Sequence, residues 1–435
     1  MRSWRTALGV YRSPRMLAIL FMGFSSGLPI LLVFSTLSYW LREVGVSRTE
    51  IGLFVLVGIS YSFKFTWSPF IDRLPLPFLT RRLGRRRGWA LAIQVPLMLA
   101  IFALGSTDPG SHLAMTALWA VIVAFLSASQ DIVLDAYRIE LLTPDEQGAG
   151  AAATQWGYRL GTLAGSTGAF DTAQWGGWHF AYNIMAALML VGIVTVWLTP
   201  EPAAPAAALP QQRGGTRRQR LARWARTAII DPFRDFMGRR LWLAILIFIV
   251  LYKLGEALAG TMSNTLYQEL GFAKNEVGNF GKFVGLVATL SGVAIGGALV
   301  ARHGLLRALL IAGVLQMLGN LLYIALVLAG HSKLMLGLSI FGENFTGGMA
   351  SAAFVAYLSS LCNIAFTATQ YALFSSLAAV PARVLSAPSG WLVDQLDWIP
   401  FFLIATVICL PSLLLLLWLM RREAAALPPG AAPAE

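Results

Sequence analysis

Residues 127–161 read SASQDIVLDAYRIELLTPDEQGAGAAATQWGYRLG. Asp131, Asp135 and Arg138 fall near the end of one apolar run, and Gln155 and Arg159 fall inside the next. An ionisable side chain at the centre of a membrane span costs about 2.5–3.5 kcal/mol on insertion scales, so those that are kept usually face a cavity or a partner. Charges set into runs as apolar as these demand such a reason.

The rest of the chain explains why the runs read as spans. Of 435 residues, 57% are hydrophobic and 12% charged, with a mean hydropathy of +0.66. That is too apolar for a soluble domain of this length. Apolar runs of about 20 residues recur throughout, each long enough to cross a hydrocarbon core as a helix. Strands of alternating polarity are absent, which argues against a barrel. The expected fold is therefore an all-α polytopic membrane protein of 12 helices, at residues 16–41, 49–70, 89–105, 113–137, 148–170, 178–198, 241–266, 275–300, 305–328, 334–358, 363–380 and 399–420. The run at 16–41 is too long for a cleaved signal peptide and lacks a small-residue cleavage site, so it reads as a retained span.

Composition divides the chain into an N-terminal bundle (1–199), a linker (200–240), a C-terminal bundle (241–421) and a tail (422–435). The linker begins PEPAAPAAALPQQRGG and continues TRRQRLARWARTAI. Its stretch 217–236 reads either as an amphipathic helix on an anionic leaflet or as a simple tether. The net charge of +12 points to membrane orientation rather than nucleic acid, because 24 Lys and Arg lie in the tails and alternate loops. Five lie on the other side (Arg42, Arg48, Lys274, Lys333, Arg383) and four inside spans. This asymmetry puts both termini in the cytoplasm. Cys362 and Cys409 read as packed thiols, not as a disulfide or metal site.

The halves echo each other. Ala153-Thr154-Gln155 recurs as Ala368-Thr369-Gln370, and Ala136-Tyr137 as Ala356-Tyr357. Two six-helix repeats resemble the major facilitator architecture, whose ligand site lies between the halves near the midplane. The loop SPFIDRLPLPFLTRRLGRRRGW at 68–89 resembles that superfamily's loop signature through Asp72, Arg73, Gly84, Arg85 and Arg86, with Pro69 near the expected glycine. An acid at a helix end facing basic residues suits a breakable cytoplasmic latch, with Arg138 as the expected partner of Asp72. Topology alone would also account for the arginines.

Polar side chains inside the spans form stripes. Lys253, Glu256, Gly260 and Asn264 share one helical face, Gln155 and Arg159 another, and Tyr61, Lys64 and Ser68 a third. Glu343 and Asn344 sit beside Thr346-Gly347-Gly348. Midplane cations suit an anionic substrate, and Arg159 is built to grip a carboxylate or phosphate with two prongs. The expected substrate-binding set is Tyr61, Lys64, Gln155, Arg159, Lys253, Asn264, Asn344 and Gln370. Buried carboxylates suit a proton, since desolvation favours the neutral acid; the candidates are Asp131, Asp135, Glu256 and Glu343. Asp72, Arg73 and Arg138 are assigned to gating. Two local readings stay open: Lys253 with Glu256 as an internal ion pair, and Asp135 with Arg138 as a helix-end pair. Ser25-Ser26-Gly27-Leu28-Pro29 is expected to break the first span, and Tyr61, Trp67, Trp156 and Tyr371 are candidate platforms for a sugar. All four histidines lie near loops, which disfavours a histidine relay. No nucleophile with its base and no metal-ligand cluster lies in the spans, so neither an enzyme nor a bound cofactor or metal is expected.

With these residues in view, the stretch SASQDIVLDAYRIELLTPDEQGAGAA followed by GYRLG resembles the AmpG muropeptide permeases. The resemblance continues through FSSGLP, YSFKFTWSPFIDR, GRRRGW and LCNIAFTATQYALFSSLAAV and covers nearly all of 17–419. The chain stops after twelve expected spans, whereas some members carry more. The resemblance implies an inner-membrane permease that imports N-acetylglucosaminyl-1,6-anhydro-N-acetylmuramyl peptides with protons, for peptidoglycan recycling and, in some bacteria, β-lactamase induction; a monomer is expected. Other classes remain open at this point: a transporter of another anion such as an acyl-coenzyme A, or a non-transporting sensor or assembly factor.

Overall fold

The structure is a computed structural model and describes residues 9–203, 216, 218 and 226–426. Residues 204–215, 217 and 219–225 of the linker and the tail from 427 lie outside the described residues, so the expected amphipathic stretch 217–236 is described only at 218 and 226–236. Among the described residues every regular element is helical. The helices used below are α1 (Pro14–Val33), α2 (Arg85–Gly105), α3 (Leu113–Leu141), α4 (Gln147–Leu163), α5 (Leu254–Glu269), α6 (Leu286–His303), α7 (Leu305–Gly319), α8 (Lys333–Ser360) and α9 (Thr367–Ser386).

By length and composition, eight helical stretches among the described residues are able to cross a membrane. A ninth is added if Lys333–Ser360 and Ile364–Leu396, which meet at 95°, count as one broken span. The difference from twelve has local causes. Pro144–Leu198 is continuous over 55 residues, but Gly177 (φ 80, ψ 172) interrupts it in a backbone region that favours glycine. The expected spans 148–170 and 178–198 fall on either side of that break. Residues 48–73 form no single helix: Arg48–Leu53, Ile59–Phe63 and Ser68–Arg73 are joined by 3-10 turns, with Pro69 opening the last.

The first span does not break at Ser25–Pro29. α1 runs through Pro29 and is interrupted at Phe34 (φ −113, ψ −101). Proline removes one backbone donor and frees the carbonyl four residues earlier. That carbonyl belongs to Ser25, and it accepts a 2.9 Å hydrogen bond from Gln130 Nε2 of α3.

Small residues bring helix backbones together. A Cβ added at Gly157 or Gly161 of α4 would overlap the carbonyl oxygens of Leu20 or Phe24 on α1, and one at Gly23 or Gly27 would overlap those of Thr154 or Tyr158. Gly292 and Gly296 of α6 meet Phe345 and Met349 of α8 in the same way. Gly157→Val is expected to cost about 1–3 kcal/mol by overpacking, read as a lower melting temperature; an unchanged melt would contradict the close contact.

The two halves repeat at a spacing of 220 residues. Tyr137 corresponds to Tyr357, the 3-10 turn Pro144–Glu146 to Ile364–Phe366, and the start of α4 at Gln147 to the start of α9 at Thr367. The Ala-Thr-Gln match is therefore five residues out of register: Gln155 lies in the third turn of α4, whereas Gln370 lies in the first turn of α9.

Candidate functional site

The site is closed at one end by a set of contacts between the halves. Asp72, 2% exposed, ends the helix Ser68–Arg73 and points at the first turn of α9. Its Oδ1 accepts from Ala368 N–H at 3.2 Å, and its Oδ2 accepts from Thr369 N–H at 2.6 Å and Thr369 Oγ1 at 2.7 Å. A carboxylate there satisfies first-turn donors that have no helical partner and faces the positive end of the helix dipole. The cation on Asp72 is Arg86, at 2.8 Å, and not Arg138 as expected. Arg86 lies in the first turn of α2 and also holds Glu140 at 2.5 Å. Arg138 instead donates to Ser359 Oγ at 3.0 Å, lies 3.9 Å from Asp135 and packs over Tyr371. Arg73 packs over Phe366. Asp72, Arg73 and Arg138 thus all reach the segment 359–371.

Gln370 belongs to this closed end and not to the cavity wall. It is 1% exposed, accepts from Asn363 N–H at 2.7 Å, and donates to Asp235 Oδ2 at 2.9 Å and to the Pro232 carbonyl at 3.0 Å. Its register position in the first turn of α9 accounts for the difference. The same contacts dock the linker's described end, the helix Asp231–Met237, and Phe236 packs on Phe374 with ring centroids 4.8 Å apart.

The seam continues between α4 and α6. A Cβ at Gly297 would stand 2.8 Å from the Gly148 carbonyl oxygen. Tyr11 donates to the Ala294 carbonyl at 3.0 Å, and Trp156 Nε1 to that of Leu290 at 2.7 Å. Of the candidate sugar platforms, Trp156 is engaged in this seam, Tyr371 is buried beneath Arg138 and Trp67 Nε1 donates to Ser129 at 3.0 Å. Tyr61 is half-buried and packs against Phe34.

Farther from the closed end, charges line both halves. In the N-terminal half, Asp131 accepts a hydrogen bond from Ser26 of α1, and Lys64, carried by a 3-10 turn, stands 4.0 Å from Asp135. Gln155 is half-buried and Arg159 exposed. Among the described residues Arg159 has no acid partner within ion-pair distance.

In the C-terminal half the helical run breaks at Lys253 (φ −94, ψ −3), so its side chain projects beside α5. Lys253 Nζ pairs with Glu256 at 2.6 Å and donates to Ser351 at 2.7 Å. The internal ion pair is therefore formed. Gln316 of α7 donates to Glu256 at 2.7 Å, and Glu343 of α8 accepts from Tyr323. A small cavity lies between Glu256, Ala259, Gln316, Asn320, Glu343 and Thr346. Asn344 is tied to Thr289 at 3.0 Å, bridging α8 and α6, whereas Asn264 is exposed. Sequence reasoning placed Arg86 in the loop signature without pairing it to Asp72, and missed Glu140, Asp235, Gln316 and Tyr323. Only Gln316 had a visible signal, the polar pair Gln316 and Asn320 one turn apart inside an apolar span. Among the described residues no group of three or more His, Cys, Asp or Glu is placed to hold a metal.

Mixed charges lie among helices long and apolar enough to cross a membrane. The family model of the Major Facilitator Superfamily matches residues 16–387. Solved structures with the same fold include the proton:xylose symporter XylE (TM-score 0.66, 14% identity, 95% of each chain) and a bacterial homologue of the iron transporter ferroportin (TM-score 0.66, 13% identity, 97% of this chain and all of that one). Among relatives, the anhydromuropeptide permease of Escherichia coli K12 is 42% identical over 412 residues, 94% of this chain and 80% of its own. A putative transporter AmpG 4 of Rickettsia conorii is 32% identical over 94% of this chain and 97% of its own. The chain belongs to the Major Facilitator Superfamily and, within it, to the AmpG-like permeases. It is a multi-pass membrane transporter, not an enzyme.

Proposed function

We propose that this chain imports N-acetylglucosaminyl-1,6-anhydro-N-acetylmuramyl peptides across the bacterial inner membrane by proton-coupled alternating access, as a monomer serving peptidoglycan recycling. The observation that carries the reading is the 42% identity, over 94% of the chain, to a protein named anhydromuropeptide permease. The free cation Arg159 and the carboxylates across the seam supply chemistry that suits a peptide-bearing anionic sugar. Substrate contacts are assigned to Tyr61, Lys64, Gln155, Arg159, Lys253, Asn264 and Asn344, and proton transfer to Asp131, Asp135, Glu256 and Glu343.

Twelve crossings in two six-helix halves fit the helices. Pro144–Leu198 counts as two crossings folded at Gly177, the bent pair as two, and the broken stretch 48–73 as one more. The basic-residue asymmetry favours both termini in the cytoplasm. The contacts of Asp72, Arg73 and Arg138 then close the cytoplasmic end and leave Arg159 open to the periplasmic side.

Uptake of labelled anhydromuropeptide into vesicles, with and without a proton gradient, tests the reading; uptake indifferent to a protonophore would remove the coupling. Asp131→Asn is expected to keep binding and to abolish accumulation above equilibrium, measured as the ratio of internal to external label. If the variant still accumulates substrate, the proton role moves to Asp135, Glu256 or Glu343.

A further inference from the structure

The described end of the linker touches both halves. Arg226–Ile230 is a single π-helical turn packed on Ser68–Arg73, the helix of the N-terminal half that ends beside Asp72. It runs directly into the helix Asp231–Met237, which packs on α9 of the C-terminal half. Ala228 is 1% exposed and Phe236 3%, so side chains are buried in both parts. A plain tether between two bundles needs neither burial nor a fixed path.

The grip on the C-terminal half is polar. Asp235 accepts one hydrogen bond on each carboxylate oxygen, from Asn363 Nδ2 and from Gln370 Nε2, both at 2.9 Å. Gln370 also donates to the Pro232 carbonyl at 3.0 Å and accepts from Asn363 N–H at 2.7 Å. The first turn of α9 is therefore held from two directions. Asp72 of the N-terminal half takes the N–H groups of Ala368 and Thr369, and the linker takes the side chain of the next residue.

We propose that 226–237 is a strap across the cytoplasmic gate and that Asp235 is its positioning residue, fixing the first turn of α9 where Ala368 and Thr369 meet Asp72. Through Asp235 the strap travels with the C-terminal half. Its packing on Ser68–Arg73 is then broken each time the halves part at this end, so the strap adds to the Asp72 latch and favours the closed gate. The proposal rests on the transport reading for the direction of opening.

The test is backbone hydrogen exchange, followed by mass spectrometry, on the purified full chain without ligand. Asp235→Ala is expected to speed exchange about tenfold or more in 231–237 and 363–371 and also across the seam in 68–73, since it removes two charge-assisted hydrogen bonds. Asp235→Asn keeps one accepting oxygen and is expected to fall between the wild type and Asp235→Ala. Faster exchange confined to 231–237 and 363–371 would show that Asp235 braces only its own surroundings, and the strap is wrong. Unchanged exchange, or a uniform rise over all helices with a lower melting temperature, overturns it equally. Uptake of labelled anhydromuropeptide by the wild type judges the import reading separately: uptake alongside the confined pattern sinks the strap alone, and no uptake alongside the rise in 68–73 sinks the import reading alone.

Discussion

Arg86→Met is expected to destabilise the purified protein by about 3–5 kcal/mol, the cost of leaving buried charges without their partner. Arg86 is 1% exposed and is shared by two carboxylates, Asp72 at 2.8 Å and Glu140 at 2.5 Å, both nearly inaccessible to water. Methionine fills the space of the alkyl stem and removes only the charge. The measurement is the melting temperature in detergent, together with the yield of folded protein. Adding Asp72→Asn to Arg86→Met should recover part of the loss, because the amide still accepts from Thr369 N–H while carrying no charge. If the single variant melts with the wild type, the buried network contributes nothing measurable and the account of the closed end fails.

Arg159→Ala is expected to weaken ligand binding by about thirtyfold or more, since truncating one side of a hydrogen-bonded charge pair costs about 2–5 kcal/mol. The folded protein should be little affected. Arg159 is exposed and holds no acid among the described residues, so its removal leaves no carboxylate stranded. That separates it from Lys253, whose loss would free Glu256 and disturb α5. Equilibrium binding and thermal melting on one preparation distinguish the two effects. Normal affinity in Arg159→Ala would remove the cation from the substrate site.

The contrast between these two arginines explains which parts of the site were legible in the sequence. Arg159 stands alone in an apolar run, and isolation marks a residue that must face something. Arg86 is one of five arginines between 81 and 87, and nothing in such a run says which one turns inward. The latch acid Asp72 was therefore readable and its partner was not. Asp131 and Asp135 were readable for the same reason as Arg159, whereas the bond from Ser26 to Asp131 joins residues 105 apart in the chain and needs the packed helices. Gln370 was misplaced because a three-residue match was taken as the register of the halves; the helix starts set it five residues away. Arg383 was lost when the span was ended at 380, before Pro381, although α9 continues through that proline to Ser386. Hydropathy located the membrane segments but gave no sign that 48–73 would form short helices. A broken helix and a straight one of the same composition have the same mean hydropathy.

The glycine contacts between α1 and α4 also limit how the molecule can move. Where backbone lies directly on backbone, no side chain is left to change rotamer and let one helix slide past the other. The two helices consequently share one set of rigid-body coordinates, and a shift of either is a shift of both. Gly148 and Gly297, by contrast, bring the halves together near the start of α4. The seam runs on to Trp156, bonded to the Leu290 carbonyl, so the halves meet over the first turns of α4, and a gap opened by rotation about that contact is widest at the far end.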